Sequence, residues 1–322
     1  MSFDGYTLGE LSTKLEHRLR NYGNLRWIQS EVTDLINEGY IDFVNQTKCL
    51  RKSSYLALAA DTSEYTLPTD ILQLRSAWYR GKPLTFQSTD TINRLYGTKW
   101  RETTSSTIDH LIQDDLGHAS VRIYPFFTDL DNAVITIDDN HCLLNFTYNS
   151  VAGEITLTNG DYEGDDLATE IATQIDAEYS ISSTVGFDSD TGIFTVTVPT
   201  NTISFTYSGS TAGDRIGFRA DISAALSVSG VSAIYIDIDY TYLPDELSDT
   251  SSTPAIPYRF HIALFYYALY SLLLDAAGEA EDKMGSAHAW QQYMRHVDDC
   301  RQFAQLGYQR SHSNRVLYRP FV

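Results

Sequence analysis

Ile234-Tyr235-Ile236-Asp237-Ile238-Asp239-Tyr240-Thr241-Tyr242 decides how this chain is organised. Ile234, Ile236, Ile238, Tyr240 and Tyr242 alternate with Tyr235, Asp237, Asp239 and Thr241, the period-two pattern of a strand that buries one face. Its expected partner is Val121 to Tyr124, which ends at Pro125. Pairing the two closes a sheet across everything between them, so residues 131–231 read as an inserted domain.

Charge supports that division. The 322 residues hold 23 Lys plus Arg against 42 Asp plus Glu, a net charge of −19. Residues 131–231 carry 2 basic and 15 acidic side chains, residues 1–130 carry 14 and 16, and residues 232–322 carry 7 and 11. The middle stretch is also rich in Thr, Ser, Gly and Asp. Such an acidic balance disfavours a protein that grips DNA or anionic lipid over its whole surface, because counterion release needs Lys and Arg against phosphate. Cys49, Cys142 and Cys300 are odd in number and form no CxxC pair, which argues against a disulfide scaffold or a cysteine zinc site and suits buried thiols in a reducing cytoplasm. The first 30 residues show no secretory h-region. Phe260 to Leu274 is apolar but about 15 residues long, short of the roughly 20 needed for a membrane span, so it reads as a buried helix. A soluble globular chain of this length builds a core without staples.

Upstream, Thr7-Leu8-Gly9-Glu10 is a capping-box pattern, and Leu8, Leu11, Leu15 and Leu19 follow at helical spacing towards Gly23. A second helix, expected from about Asn24 to Thr47, places Leu25, Ile28, Val32, Leu35 or Ile36, Tyr40 and Phe43 on one face. These two should pack as a hairpin. Short strands follow: Tyr65 to Asp70, then Ile71 to Tyr79, the turn Arg80-Gly81-Lys82 and Pro83 to Phe86. Ser88 or Asp90 caps a short helix to Tyr96, and His110 to Asp114 forms a hairpin with Ala119 to Tyr124. Beyond the strand at Ile234, a polar loop through Pro254 and Pro257 enters the apolar helix, and a last helix is expected from about Glu279 to Leu306. The fold class is therefore α+β: a four-helix core with a small antiparallel sheet, interrupted by a β-rich α+β insert. The expected domains are a core of residues 1–130 plus 232–307, the acidic insert 131–231, and an extended C-terminal arm, 308–322.

Several of these pieces, in this order, resemble the head-to-tail adaptor (head-completion or connector) proteins of tailed, podovirus-like bacteriophages. They are the paired N-terminal helices, Tyr65-Thr66-Leu67-Pro68-Thr69-Asp70-Ile71-Leu72 with Gly81-Lys82-Pro83-Leu84, and Val121-Arg122-Ile123-Tyr124-Pro125. After the insert come Ile238-Asp239-Tyr240-Thr241-Tyr242-Leu243-Pro244, Leu247-Ser248-Asp249 and Pro254-Ala255-Ile256-Pro257. The resemblance covers about two thirds of the chain, and a minimal adaptor lacks the insert.

Within the insert, Leu143 to Tyr148 and Glu154 to Thr158 read as strands, Asn159-Gly160 as a turn, and Asp165 or Asp166 as the cap of a helix carrying Leu167, Ile171, Ile175 and Tyr179. Strands on both sides of Asp188-Ser189-Asp190-Thr191-Gly192 and at Ile203 to Tyr207 complete it. Ile155 to Tyr162, Phe187-Asp188 and Gly192-Ile193-Phe194 look like a small domain of phage tail-fibre and head-decoration proteins.

Enzymatic signatures are missing. GxGxxG, Walker, HExxH, GxSxG and CxxC motifs do not occur. His288 and His296 stand about 12 Å apart by helical rise, too far to share a metal. Asp188, Asp190 and Gly192 resemble the start of a calcium loop, but Pro199 occupies the position of its last ligand, which favours a hairpin turn. Acidic pairs such as Asp114-Asp115 and Asp298-Asp299 read as solvated faces. No cofactor or metal is expected.

After Asp299 no acidic residue occurs, while Arg301, Arg310, Arg315 and Arg319 mix with Val316, Leu317, Tyr318, Phe321 and Val322. Exposed apolar side chains gain nothing in water, so this tail reads as a docking arm. The resemblance supplies the partner: Arg310, Arg315, Val316, Leu317, Tyr318, Arg319, Phe321 and Val322 are expected to bind the portal protein. It also implies a non-enzymatic virion protein of the neck, assembled in the bacterial cytoplasm as a ring of twelve copies. That ring would join the portal to tail or nozzle proteins, offer the insert to tail fibres, and let genomic DNA pass unbound; no membrane is involved. The rival expectation is a virion surface-binding module whose insert recognises fibres or a host glycan.

Overall fold

The computed structural model describes residues 5–20, 29–105, 107–113, 120–131, 133–275 and 280–316. Its class is α+β. Among the described residues six α-helices, α1 (Leu8–Arg20), α2 (Gln29–Thr47), α3 (Thr89–Tyr96), α4 (Gly164–Tyr179), α5 (His261–Asp275) and α6 (Ala280–Val316), accompany five small sheets. Two compact units divide the chain: Met1–Lys52, Asp70–Leu74 and Tyr240–Val322 form one, Ser53–Thr69 and Arg75–Asp239 the other.

In the first unit α1 begins on a complete capping box. The Thr7 N–H donates to Glu10 Oε2 at 2.9 Å and the Glu10 N–H donates to Thr7 Oγ1 at 3.2 Å. Leu8, Leu11, Leu15 and Leu19 are buried, as their spacing requires. The expected start of the second helix lies outside the described residues. From Gln29 onward Val32, Ile36, Tyr40 and Phe43 of α2 are buried, and Leu35 packs at the edge. These side chains share one core with Ala263, Leu264, Ala268, Leu272 and Leu273 of α5 and with Ala289, Tyr293, Val297 and Cys300 of α6. Each large aliphatic side chain so buried contributes about 1.5–3 kcal/mol. No helix among the described residues is long and apolar enough to cross a membrane.

Helix α6 corrects one expectation. It continues to Val316 instead of ending near Leu306, so residues 308–316 are helical rather than extended. Gly307 is too weak a stop: glycine inside a helix costs about 1 kcal/mol, and the next strong breaker is Pro320. At 1.5 Å per residue, the 37 residues measure about 56 Å.

Tyr235–Tyr242 is a strand, but its partners differ from the expected one. It lies between Arg51–Ala57 and Ile71–Tyr79, with Lys82–Pro83 at the sheet's edge. Ser120–Tyr124 instead pairs on both sides, with Glu64–Thr66 and His110–Ile112. An eight-residue strand makes more ladder bonds with neighbours of seven and nine residues than with one of five. Burial alternates along it up to Tyr240, after which Thr241, not Tyr242, is enclosed.

In the second unit, Tyr79 pairs with Lys82 across the two-residue turn Arg80-Gly81, whose φ values are 52° and 73°. Both are left-handed, the geometry that matches strand twist in a tight hairpin. Ser88 caps α3 by accepting from the Thr91 N–H at 3.2 Å. Further along this unit, Leu143–Tyr148 pairs with Val151–Thr156 around Asn149-Ser150, with φ of 49° and 66°. Asn159-Gly160 makes no such turn, because Gly160 starts a strand that pairs back to Ile135–Ile137. Helix α4 buries Leu167, Ile171 and Ile175. Neither Asp165 nor Asp166 is its cap; both sit in its first turn, and Asp131 Oδ1 accepts from the Asp165 N–H at 2.9 Å.

Thr184–Asp188 and Ile193–Thr197 form the expected hairpin. Its turn is held from two distant points in the sequence: the Leu130 N–H donates to Ser189 O at 3.0 Å, and the Ala233 N–H donates to Gly192 O at 2.8 Å. The Ala60 N–H donates to Asp190 O at 2.8 Å. Near the exit, a Cβ on Gly217 would fall 1.9 Å from Val231 O, so only glycine fits there.

Candidate assembly surfaces

The loop of residues 243–260 carries several stretches of the adaptor resemblance, and side chains from helices and strands far away in sequence fix it. Asp70 is one anchor: its carboxylate accepts from Tyr240 Oη at 3.2 Å and pairs with Lys52 Nζ at 3.1 Å, while its carbonyl accepts from the Leu243 N–H at 2.8 Å. On α2, Asn37 meets both polar backbone groups of Leu247. Tyr40 Oη accepts from the Ala255 N–H at 2.7 Å, and burial pushes its hydroxyl up to about 12. The buried His261 ring lies 2.9 Å from Ile256 O and 3.0 Å from Tyr6 O. The loop in turn satisfies α1, whose Leu8 and Gly9 N–H groups donate to Ser252 O and Thr250 O, both at 2.9 Å. Backbone that would otherwise lack partners is thereby held in one conformation.

Three arginines hold α6 against the rest of this unit. Arg301 donates through Nε to Gln46 O at 2.9 Å, in the last turn of α2, where a cation opposes the helix dipole. It also pairs with Asp298 at 3.2 Å. Arg51 Nη2 donates to Ala304 O at 2.8 Å. The Arg259 guanidinium stacks 3.9 Å over Phe303 and 4.5 Å over Phe260. Arg301 is thus occupied by partners within its own unit. Arg51 and Arg259 carry no local sequence signal, because Arg51 meets its partner across 253 positions.

Of the expected portal-binding residues, Arg310, Arg315 and Val316 lie on α6 beyond this arginine-held stretch. Leu317, Tyr318, Arg319, Phe321 and Val322 lie outside the described residues, as do Asp114 and Asp115.

The other polar candidates have structural partners. Asp188 accepts from the Asp190 and Thr191 N–H groups, and hydrogen bonding, led by Thr191, holds its carboxyl below the usual range; it shapes a turn. His296 stacks on Tyr266 with centroids 5.8 Å apart, and burial lowers its pKa. Among the described residues no cluster of His, Cys, Asp and Glu has metal-binding geometry. Cys300 is buried, whereas Cys49 and Cys142 are only partly so. Cys49 and Cys300 share a hydrogen bond that pulls the Cys49 thiol down and pushes Cys300 up.

No curated protein matches the chain. The family model of the SU10 adaptor protein matches residues 6–317, a span that includes the capping box, residues 131–231 and all of α6. The chain therefore belongs to the SU10 adaptor protein family and is a phage adaptor, a component of the virion.

Proposed function

We propose that this adaptor forms a ring, twelve copies by resemblance, beneath the portal of a podovirus-like phage and joins the DNA-filled head to the tail or nozzle. The observation that carries this is the family match over residues 6–317. The role is assembly and sealing, without catalysis. Helices of the first unit pack side by side in the ring. The C-terminal segment, with Arg310, Arg315, Val316, Leu317, Tyr318, Arg319, Phe321 and Val322, grips the portal; the absence of acidic residues after Asp299 supports this, since arginine pairs strongly with carboxylates. The acidic stretch 131–231 serves as a platform for tail fibres or neighbouring tail proteins. With a net charge of −19, the channel lets the duplex slide without binding.

Negative-stain imaging of the purified protein, alone and mixed with portal, tests this reading. Rings seated on portal are expected. Dispersed monomers that leave portal unoccupied would sink it.

A further inference from the structure

Three arginines of the second unit form no ion pair among the described residues, although acidic side chains are plentiful around them. Residues 131–231 hold 15 acidic side chains and two basic ones, Arg215 and Arg219. Neither forms an ion pair among the described residues, and neither does Arg80. Arg80 occupies a turn position with φ of 52°, where a side chain other than Gly or Asn costs about 1 kcal/mol.

Arg80 and Arg215 line one cavity of about 280 Å³, together with Tyr79, Thr136, Tyr235 and Asp237. Tyr79 is 4% exposed, and its buried hydroxyl has no hydrogen-bond partner. An unpaired buried hydroxyl costs about 1–3 kcal/mol, so native proteins keep few of them. Arg219 lies outside the cavity wall but stacks 3.8 Å over the Tyr235 ring, and its Nη1 is also buried without a partner.

The unused polar groups on this wall are donors, namely the two guanidinium forks of Arg80 and Arg215. They call for acceptor oxygens in a plane, the shape of a carboxylate. Charge separates this from phosphate. Among the lining residues Asp237 offsets one of the two arginines and leaves one positive charge, which a carboxylate balances; a phosphate ester carries about −1.5 to −2 and would meet repulsion from Asp237 and from Asp161 and Asp138, which act on Arg80 and Arg215. The volume is near the lower end for ligand sites and accommodates a glutamate side chain.

We propose that this cavity binds a carboxylate, held between Arg80 and Arg215. The carboxylate comes either from an Asp or Glu side chain of a polypeptide or from a small free acid. The site goes beyond the adaptor role and does not depend on the portal contact.

Isothermal titration of the full-length protein tests it with three probes: blocked Gly-Glu-Gly peptide, glutarate and inorganic phosphate. Both carboxylate probes should saturate with Kd in the range of about 0.1–10 mM, and phosphate should bind at least about tenfold more weakly. A tighter peptide identifies a polypeptide source, tighter glutarate a free acid. Arg215→Gln should weaken binding about tenfold or more, while Asp237→Asn, which removes a like charge, should tighten it several-fold. If Arg215→Gln fails to fold, Arg215→Lys keeps the charge without the fork and should still weaken binding. Absence of saturation by both carboxylates below about 50 mM, phosphate binding as tight as theirs, or binding untouched by the Arg215 variants overturns the proposal.

Discussion

Asn37 and Leu247, 210 positions apart, exchange two hydrogen bonds: Asn37 Nδ2 donates to Leu247 O at 3.2 Å, and the Leu247 N–H donates to Asn37 Oδ1 at 2.9 Å. One amide side chain thereby replaces a strand partner for a residue whose side chain is 5% exposed. Asn37→Ala should destabilise the fold by about 2 kcal/mol, because it leaves both backbone groups unpaired. The exposed neighbour Glu38→Ala should change stability by less than about 0.5 kcal/mol. Urea unfolding followed by circular dichroism compares them, and equal midpoints would refute the anchor.

Alkaline pH should loosen the helical unit. Burial raises the Tyr40 hydroxyl from 10.0 to about 12, and burial together with a hydrogen bond to the Asp42 carboxylate raises Tyr293. The folded state favours the neutral phenol in both. Their contribution is therefore complete below the ordinary value of about 10 and is lost as pH rises towards and through the folded value. Melting temperature should fall between about pH 10 and pH 12, and Tyr40→Phe should fall less steeply. A parallel decline in Tyr40→Phe would show that other groups dominate.

Removing residues 311–322 should leave the core folded, because Arg51, Arg259 and Arg301 already hold α6 as far as Ala304. Portal attachment should fail, since losing one interfacial Arg or aromatic anchor typically costs on the order of 2 kcal/mol. Salt should weaken attachment of the intact protein through its arginines. Undiminished co-sedimentation of the truncated protein with portal would move the contact into the helices.

Deleting residues 132–230 and rejoining the flanks should preserve the helical circular dichroism of α1, α2, α5 and α6. It also removes Arg219 from between Tyr55 and Tyr235, at 4.1 and 3.8 Å, and removes the Asp190 acceptor of Ala60. A melting transition lower by several degrees is therefore expected, in line with a loss of about 1–2 kcal/mol. Loss of the helical signal would show that the first unit cannot fold without residues 132–230.

Local features were legible in the sequence and distant pairings were not. The Thr7–Glu10 box, the faces of α1 and α2, the Ser88 cap and the hairpin around Ser189–Gly192 depend on residues within a few positions of each other. The adaptor family was legible because motif order survives without knowledge of contacts. Helix α4 took its cap from Asp131, 34 positions upstream, and Tyr235–Tyr242 took partners chosen by strand length. Asn159-Gly160 misled because a turn dipeptide specifies a hairpin only when its flanking strands pair with each other. Of the candidate surface, residue types after Asp299 were readable, whereas the arginine clasp on α6 was not, since no periodicity marks a contact across 253 positions.

Because Tyr235–Tyr242 lies inside its sheet, synthesis sets the order of assembly. Arg51–Ala57 and Ile71–Tyr79 leave the ribosome about 150 residues before the strand that must enter between them. At roughly 5–20 residues per second they wait on the order of 10–30 s with unpaired edges. The turn at Ser189–Gly192 can engage Ala60 and Leu130 within that interval, but its bond from Ala233 forms only when the central strand is about to emerge. Completion of this turn's hydrogen bonds and closure of the sheet therefore coincide, so a nascent chain stalled before residue 233 exposes two strand edges at once to any neighbour on the same message.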